Sequence, residues 1–235
     1  MAPGRTTRGG GGAHGDGIRA LTAATVRGRR LTAATVRAYG GGVLLREPVT
    51  LADDHVRLEP LSPDHAPDLA EAARGLEHAW YTQVPHPHEV EDDIRQRLAW
   101  RDEGTMNPWA VRRLETGRVV GVTTFCNIDQ PNRHVEIGHT WIGVDAQRTA
   151  VNTAAKLLLL AHAFEDCDAI AVEFRTHWHN RQSRAAIARL GAKQDGVLRN
   201  HRLGPDGTLR DTVVFSILPH EWPAVQMGLR ARLTR

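Results

Sequence analysis

The chain is 235 residues long, with 41% hydrophobic and 24% charged residues and a formal net charge of +3, which fits one globular domain, or one domain with an appendage. No apolar run approaches the roughly 18 residues of a transmembrane helix, and two cysteines, Cys126 and Cys167, argue against a disulfide scaffold and suit a reducing cytoplasm. The charge is uneven: Met1 to Arg46 holds eight arginines against the single acid Asp16, a net +7 that leaves −4 for the rest, so the folded body is a poor nucleic-acid binder.

Residues 1–46 carry glycine runs, few large apolar residues and a duplicated Leu-Thr-Ala-Ala-Thr-Val-Arg at 21–27 and 31–37. This composition cannot offset chain entropy, and a disordered extension is expected, either inert or an organellar address, with the domain spanning 47–235. Val56 to Pro60 reads as a strand, Ser62-Pro63-Asp64 caps a helix to about Arg74, and a loop bearing Trp80, Tyr81, Pro85 and Pro87 leads to a helix from about Glu89 to Asp102. Trp109 to Leu114 and Val119 to Ile128 form a hairpin across Glu115-Thr116-Gly117. A strand at Val135 to Ile142, a helix at Gln147 to Phe164 and an alternating strand at Ile170 to Thr176 follow. Arg181 to Leu190 is a helix stopped at Gly191, and two strands, Val197 to Leu203 and Leu209 to Leu218, flank Pro205-Asp206-Gly207.

The junction between Ile142 and Thr153 is the most informative segment. A strand running straight into a helix with a small, polar and basic first turn leaves unpaired N–H groups at the positive end of the helix dipole, which suits a diphosphate. The block Gln147-x-x-Ala150-x-Asn152 resembles the acetyl-CoA pyrophosphate loop of the GNAT acetyltransferase superfamily, [Arg/Gln]-x-x-Gly-x-[Gly/Ala]. Its context matches too: His134-Val-Glu-Ile-Gly-His-Thr-Trp141 precedes it, Asn180-Arg-Gln-Ser-Arg-Ala-Ala-Ile187 follows one strand later, and Leu190-Gly191-Ala192 closes the next helix. The combination is similar to the branch named for ribosomal-protein N-terminal acetyltransferases and covers roughly Val49 to Leu229.

The resemblance implies an α+β domain with a twisted, V-split mixed sheet flanked by helices, and an enzyme moving acetyl from acetyl-CoA to a primary amine by direct attack, without a metal. It implies cofactor contacts from Ile142, Gln147, Arg148, Thr149, Ala150, Val151, Asn152, Thr153 and Asn180. Glu136 stands where many GNAT enzymes carry a carboxylate base; as a bare strand residue it equally suits an ion pair with a neighbouring Arg or His. The backbone N–H of Thr140 is the candidate donor to the acetyl carbonyl, or else an ordinary ladder group. Asn180 suits the pantetheine arm, a helix N-cap, or both. The family's tyrosine acid falls at Ile187, which donates nothing, and Ser183 takes its place as proton donor or orienting hydroxyl.

Two departures motivate an alternative, a non-catalytic acyl-CoA-binding domain: Ile187, and Ala150 where the pattern has glycine, since a positive φ there would cost on the order of 1 kcal/mol. The pairs His86/His88 and His177/His179 lack a third ligand at a metal-site interval, and the cysteines read as core. Trp80, Tyr81 and Trp141 read as core or cleft wall, with the 80–88 loop a candidate side of the acceptor pocket. The acceptor is a peptide N-terminus or a small-molecule amine, and the protein a monomer or homodimer.

Overall fold

The structure, a computed structural model, describes residues 43–234 except Gln83 and Pro205. Its strands are β1 (Leu51–Ala52), β2 (Val56–Pro60), β3 (Met106–Arg113), β4 (Val119–Asp129), β5 (His134–Ile142), β6 (Ala171–His177), β7 (Lys193–Leu203) and β8 (Leu209–Ile217). They form one sheet in the order β1-β2-β3-β4-β5-β6-β8-β7. The helices are α1 (Ala66–Ala72), α2 (Val90–Asp102), α3 (Ala150–Ala161), α4 (Arg181–Leu190) and α5 (Trp222–Leu233). This is the mixed α/β architecture expected.

Of the neighbouring strands, β5 and β6 alone pair in parallel, joined by the crossover through α3, whereas the crossover through α4 carries the chain past β6 to β7 with β8 between them. Their pairing covers three positions, His134↔Ala171, Val135↔Val172 and Glu136↔Glu173, and then stops. The cause lies in β5. Between Gly138 and Trp141 it spends three steps against the two of β4 from Thr124 to Val122, and His139 at the bulge has φ +47. A bulge sharpens the local twist, which turns the end of β5 away from β6. The sheet therefore opens as a V with Glu136 at its apex.

One face of the sheet buries Val56, Leu58, Trp109, Val111, Phe125, Val135 and Ile137 against Val151, Leu159, Leu160 and Leu229 of α3 and α5. The other face buries Ala110, Val122 and Trp141 against Leu69 of α1 and Val90 and Ile94 of α2. The C-terminal helix α5 was not apparent from the sequence, and β3 begins at Met106, upstream of the expected Trp109. Helix α4 ends where expected: Gly191 has φ +102, and a Cβ there would lie 2.9 Å from Val225 Cγ2. Gly207 has the positive φ of a turn; Pro205 before it lies outside the described residues.

The N-terminal boundary differs from expectation. Leu45 is fully buried in the main core, its N–H donates to Gln130 Oε1 at 2.8 Å, and Asn107 Nδ2 donates to the carbonyls of Leu45 and Glu47 at 3.1 and 2.9 Å. Val43 to Arg46 thus belong to the domain: besides the buried Leu45, Val43 packs against the core and its N–H donates to Asp166 O at 3.0 Å, so several anchors together offset the chain entropy. Met1 to Gly42, including the duplicated stretches, lie outside the described residues. A chain begun at Pro48 is expected to lose about 2–5 kcal/mol relative to one begun at Gly41, the range for deleting a buried leucine side chain. Urea unfolding of the two checks this, and equal midpoints would show that Leu45 contributes nothing.

Candidate active site

Two adjacent parallel strands, each followed by a helix, place the starts of α3 and α4 at the same end of the sheet, beside the opening between β5 and β6. Crevices at the carboxyl ends of parallel strands, where helix N-termini converge, are the usual ligand sites of such topologies. Along that opening the β5 edge beyond Glu136 has no pairing with β6.

The loop into α3 is built by its own side chains. Gln147 Nε2 donates to Ile142 O at 2.9 Å, tying the loop to the end of β5. Arg148 takes a left-handed conformation with φ +59. Thr149 is extended and is the N-cap: its Oγ1 accepts from Val151 N at 3.3 Å and donates to Ala146 O at 2.7 Å. The helix therefore starts at Ala150, not at Gln147. The concern about Ala150 is also removed, since it is not among the positive-φ residues and the left-handed position belongs to Arg148. Val151 and Ile142 are buried and offer backbone only, whereas Asn152 and Thr153 are half-buried in the first turn. Two clefts flank this loop, one of about 410 Å³ lined by His55, Arg113 and Thr149 to Val151, and one of about 270 Å³ lined by Arg74, Arg113, Arg118 and Gly143 to Ala146. No residue of β6 or α4 lines either, so neither cleft lies between β5 and β6.

At the apex Glu136 is 7% exposed. Asn127 Nδ2 donates to its Oε2 at 2.6 Å, and Arg175 Nε lies 3.7 Å from the same oxygen. Arg175 pairs more closely with Glu173, at 2.7 Å. Gly138 makes room for the carboxylate, as a Cβ there would stand 2.8 Å from Glu136 Oε1. Burial pushes the Glu136 carboxyl above its ordinary range; the Asn127 bond and Arg175 oppose the shift and Glu173 adds to it. The group is thus a desolvated carboxyl that also neighbours an arginine.

Asn180 is the N-cap of α4, its Oδ1 accepting from Ser183 N at 2.9 Å, which leaves its Nδ2 protons for another acceptor. Ser183 is half-buried in the first turn, while Ile187, 8% exposed, packs into the core, so the usual tyrosine position does structural work. The loop after α1 brings the Trp80 ring to 4.9 Å from His177 and 5.6 Å from His179, at the end of β6 just before Asn180. The His86 and His88 rings stack on each other, and among the described residues no three His, Cys, Asp or Glu side chains converge as metal ligands. Trp141 is core, and Trp80 is 55% exposed. Both cysteines are free and buried; burial raises both thiols, Cys167 to about 12, which leaves neither a thiolate.

The family model for the acetyltransferase (GNAT) domain matches residues 55–193. The chain belongs to the GNAT acetyltransferase family. YdaF of Bacillus subtilis (strain 168), named as a candidate ribosomal N-acetyltransferase, is 29% identical over 176 residues, 72% of this chain and 94% of its own. A GCN5-related N-acetyltransferase from Brucella melitensis superposes with a TM-score of 0.72 at 28% identity, covering 80% of this chain and 86% of that one. A candidate acetyltransferase from T. thermophilus superposes with a TM-score of 0.67 at 33% identity, over 80% and 98% of the two chains. GNAT acetyltransferases use acetyl-CoA, and a helix start without acids, whose N-cap side chain takes up the Val151 N–H, fits its diphosphate.

Sequence reasoning missed several residues of this GNAT site. Asn127 and Arg175 lie on strands other than β5, and only the register reveals them beside Glu136. Arg97 and Lys156 are buried cations, Arg97 on a helix none of whose other charges is buried and Lys156 the single charged residue of α3. Only Lys156 left a trace, a single lysine between Ala155 and the run Leu157 to Leu160.

Proposed function

We propose that this acetyltransferase moves acetyl from acetyl-CoA to a primary amine by direct attack, with Glu136 as the base. The observation that carries the reading is the apex of the V, where a buried carboxyl raised by desolvation stands at the point where β5 and β6 part. Acetyl-CoA supplies an activated thioester. The residues that would hold it are the backbone groups of Arg148 to Thr153 for the diphosphate, with Gln147 fastening the loop, and Asn180 Nδ2 for the pantetheine arm. Glu136 takes the proton of the attacking amine directly or through water, a role a raised carboxyl fills near neutral pH. The N–H of Thr140 donates to the acetyl carbonyl, and the Ser183 hydroxyl orients the departing sulfur or a water.

The acceptor entrance is assigned to the Trp80–Tyr81 loop with His177 and His179. A peptide N-terminus is the first candidate, supported by the name of the Bacillus subtilis relative, and a small amine the second. The two buried free thiols suit work in the reducing cytoplasm. Mass spectrometry of an acetyl-CoA reaction with pooled peptides, their N-blocked counterparts and small amines tests the reading. Acetylation confined to free α-amines is expected, and no product with any amine would sink it.

A further inference from the structure

Lys156 lies in the middle of α3, 6% exposed, and its hydrogen-bond partners among the described residues are hydroxyls rather than a carboxylate. Nζ lies 3.1 Å from Thr123 Oγ1 on β4 and 2.8 Å from Thr140 Oγ1 on β5, and those two oxygens are 2.8 Å apart. Thr140 Oγ1 also reaches Gly138 O at 3.2 Å, spanning the bulge residue His139. The protons balance in one arrangement: Thr140 donates to Gly138 O, Thr123 donates to Thr140, and the amine gives one N–H to each threonine. Burial pushes the Lys156 ammonium down to about 7, which makes the uncharged amine with two N–H groups accessible. From the opposite face Arg97, 2% exposed, donates Nη1 to His139 O at 3.0 Å and is paired with Asp93 at 2.7 Å. The bulge that opens the V is therefore clasped from both sides by buried basic side chains.

A buried lysine without a carboxylate costs stability, and packing alone does not require it, since the two threonines already bond each other. We propose that Lys156 is a positioning residue for acetyl transfer: through Thr123 and Thr140 it fixes the β5 bulge and couples it to the helix whose start grips the diphosphate. The role rests on the reading that the freed edge of β5 receives the acetyl group. Lys156 touches no reacting atom. It sets the direction of the backbone at Thr140, and a misplacement of about 1 Å there is enough to cost about 10²-fold in rate.

The test compares wild type, Lys156→Met, Thr123→Val and the double variant. Lys156→Met is expected to lower kcat by about 10- to 100-fold while CoA affinity changes by less than about threefold. Its melting temperature should hold or rise, since a buried polar group has been removed. Thr123→Val should lower kcat in the same direction, and the double variant should fall no further than the worse single, because one network is broken in each. In the ligand-free proteins, amide hydrogen exchange at Gly138 to Trp141 should quicken in Lys156→Met. Wild-type kcat in Lys156→Met, unchanged exchange at the bulge, or CoA affinity falling in step with kcat would each overturn the proposal. The wild-type arm judges the underlying reading separately, as a wild type that binds CoA and acetylates no amine overturns both.

Discussion

Replacing Glu136 with glutamine is expected to lower turnover by about 10²- to 10⁴-fold, the usual contribution of a positioned general base, while acetyl-CoA binding stays near wild type. Glutamine keeps the shape, and its carbonyl oxygen can still accept from Asn127, which now donates at 2.6 Å. What disappears is the proton acceptor. Because burial raises the carboxyl, the acidic limb of the wild-type kcat/KM profile should lie above the ordinary glutamate range, and the variant should lose that limb. Ser183→Ala should cost less, roughly 1 kcal/mol, since water can replace an orienting hydroxyl. Near-wild-type turnover in Glu136→Gln would move the search to Glu173, although that carboxylate is already bound by Arg175 at 2.7 Å and approached by His134 at 3.4 Å.

The same raised carboxyl makes a stability prediction whose sign can be worked out. The folded state holds the Glu136 proton more tightly than the unfolded chain, whose value is about 4.5. Below that pH both states are protonated and the group contributes no difference; as pH rises from there through the folded value, the unfolded chain gives up its proton while the buried carboxyl holds on to its own, and stability erodes. Glu136→Gln escapes this loss. Its melting temperature relative to wild type should therefore increase with pH, and the two proteins should converge in acid.

How much of this was legible in the chain depended on whether the signal was local. Strands of alternating residues and helices with small caps were readable, and so was the stop at Gly191, because each depends on a few neighbours. The two candidate pairs, Glu136 with Thr140 and Asn180 with Ser183, came from the resemblance to the GNAT pattern, and the structure places them on β5 and at the start of α4. The pairing that makes Glu136 unusual was not legible. Asn127 lies across a β4 irregularity and Arg175 on a strand reached through α3, contacts set by register rather than sequence distance. Buried cations misled for a related reason: Arg97 sits among Asp93, Arg95 and Arg101, where a helical period reads it as one more solvated charge. Helix α5 was hidden because its core residues Trp222, Val225 and Leu229 are interrupted by the exposed Met227 and followed at once by Arg230 and Arg232. Leu45 was hidden by its glycine- and arginine-rich surroundings.

The other large effect is expected at the helix start, where one backbone N–H can be deleted with little other change. Ala150 is the first residue of α3, the position at which proline is best tolerated, and Thr149 before it is already extended, φ −104 and ψ −177, as a following proline requires. Ala150→Pro should therefore leave the fold and the Thr149 cap in place and remove a single donor. Thr149→Pro is a poorer test, because it also deletes the Thr149 Oγ1 bonds to Ala146 and Val151. If the Ala150 N–H bonds the diphosphate, its loss removes a hydrogen bond to a charged group, about 1.5–3 kcal/mol, which weakens CoA binding by roughly 10- to 150-fold. Calorimetric titration with CoA reads this directly, and an unchanged melting temperature of the free protein separates it from damage to the helix. Full CoA affinity in a well-folded Ala150→Pro protein would mean that the diphosphate is held elsewhere. The two clefts that share Arg113 would then be the place to look, because a guanidinium can replace backbone donors on a phosphate without depending on where the helix begins.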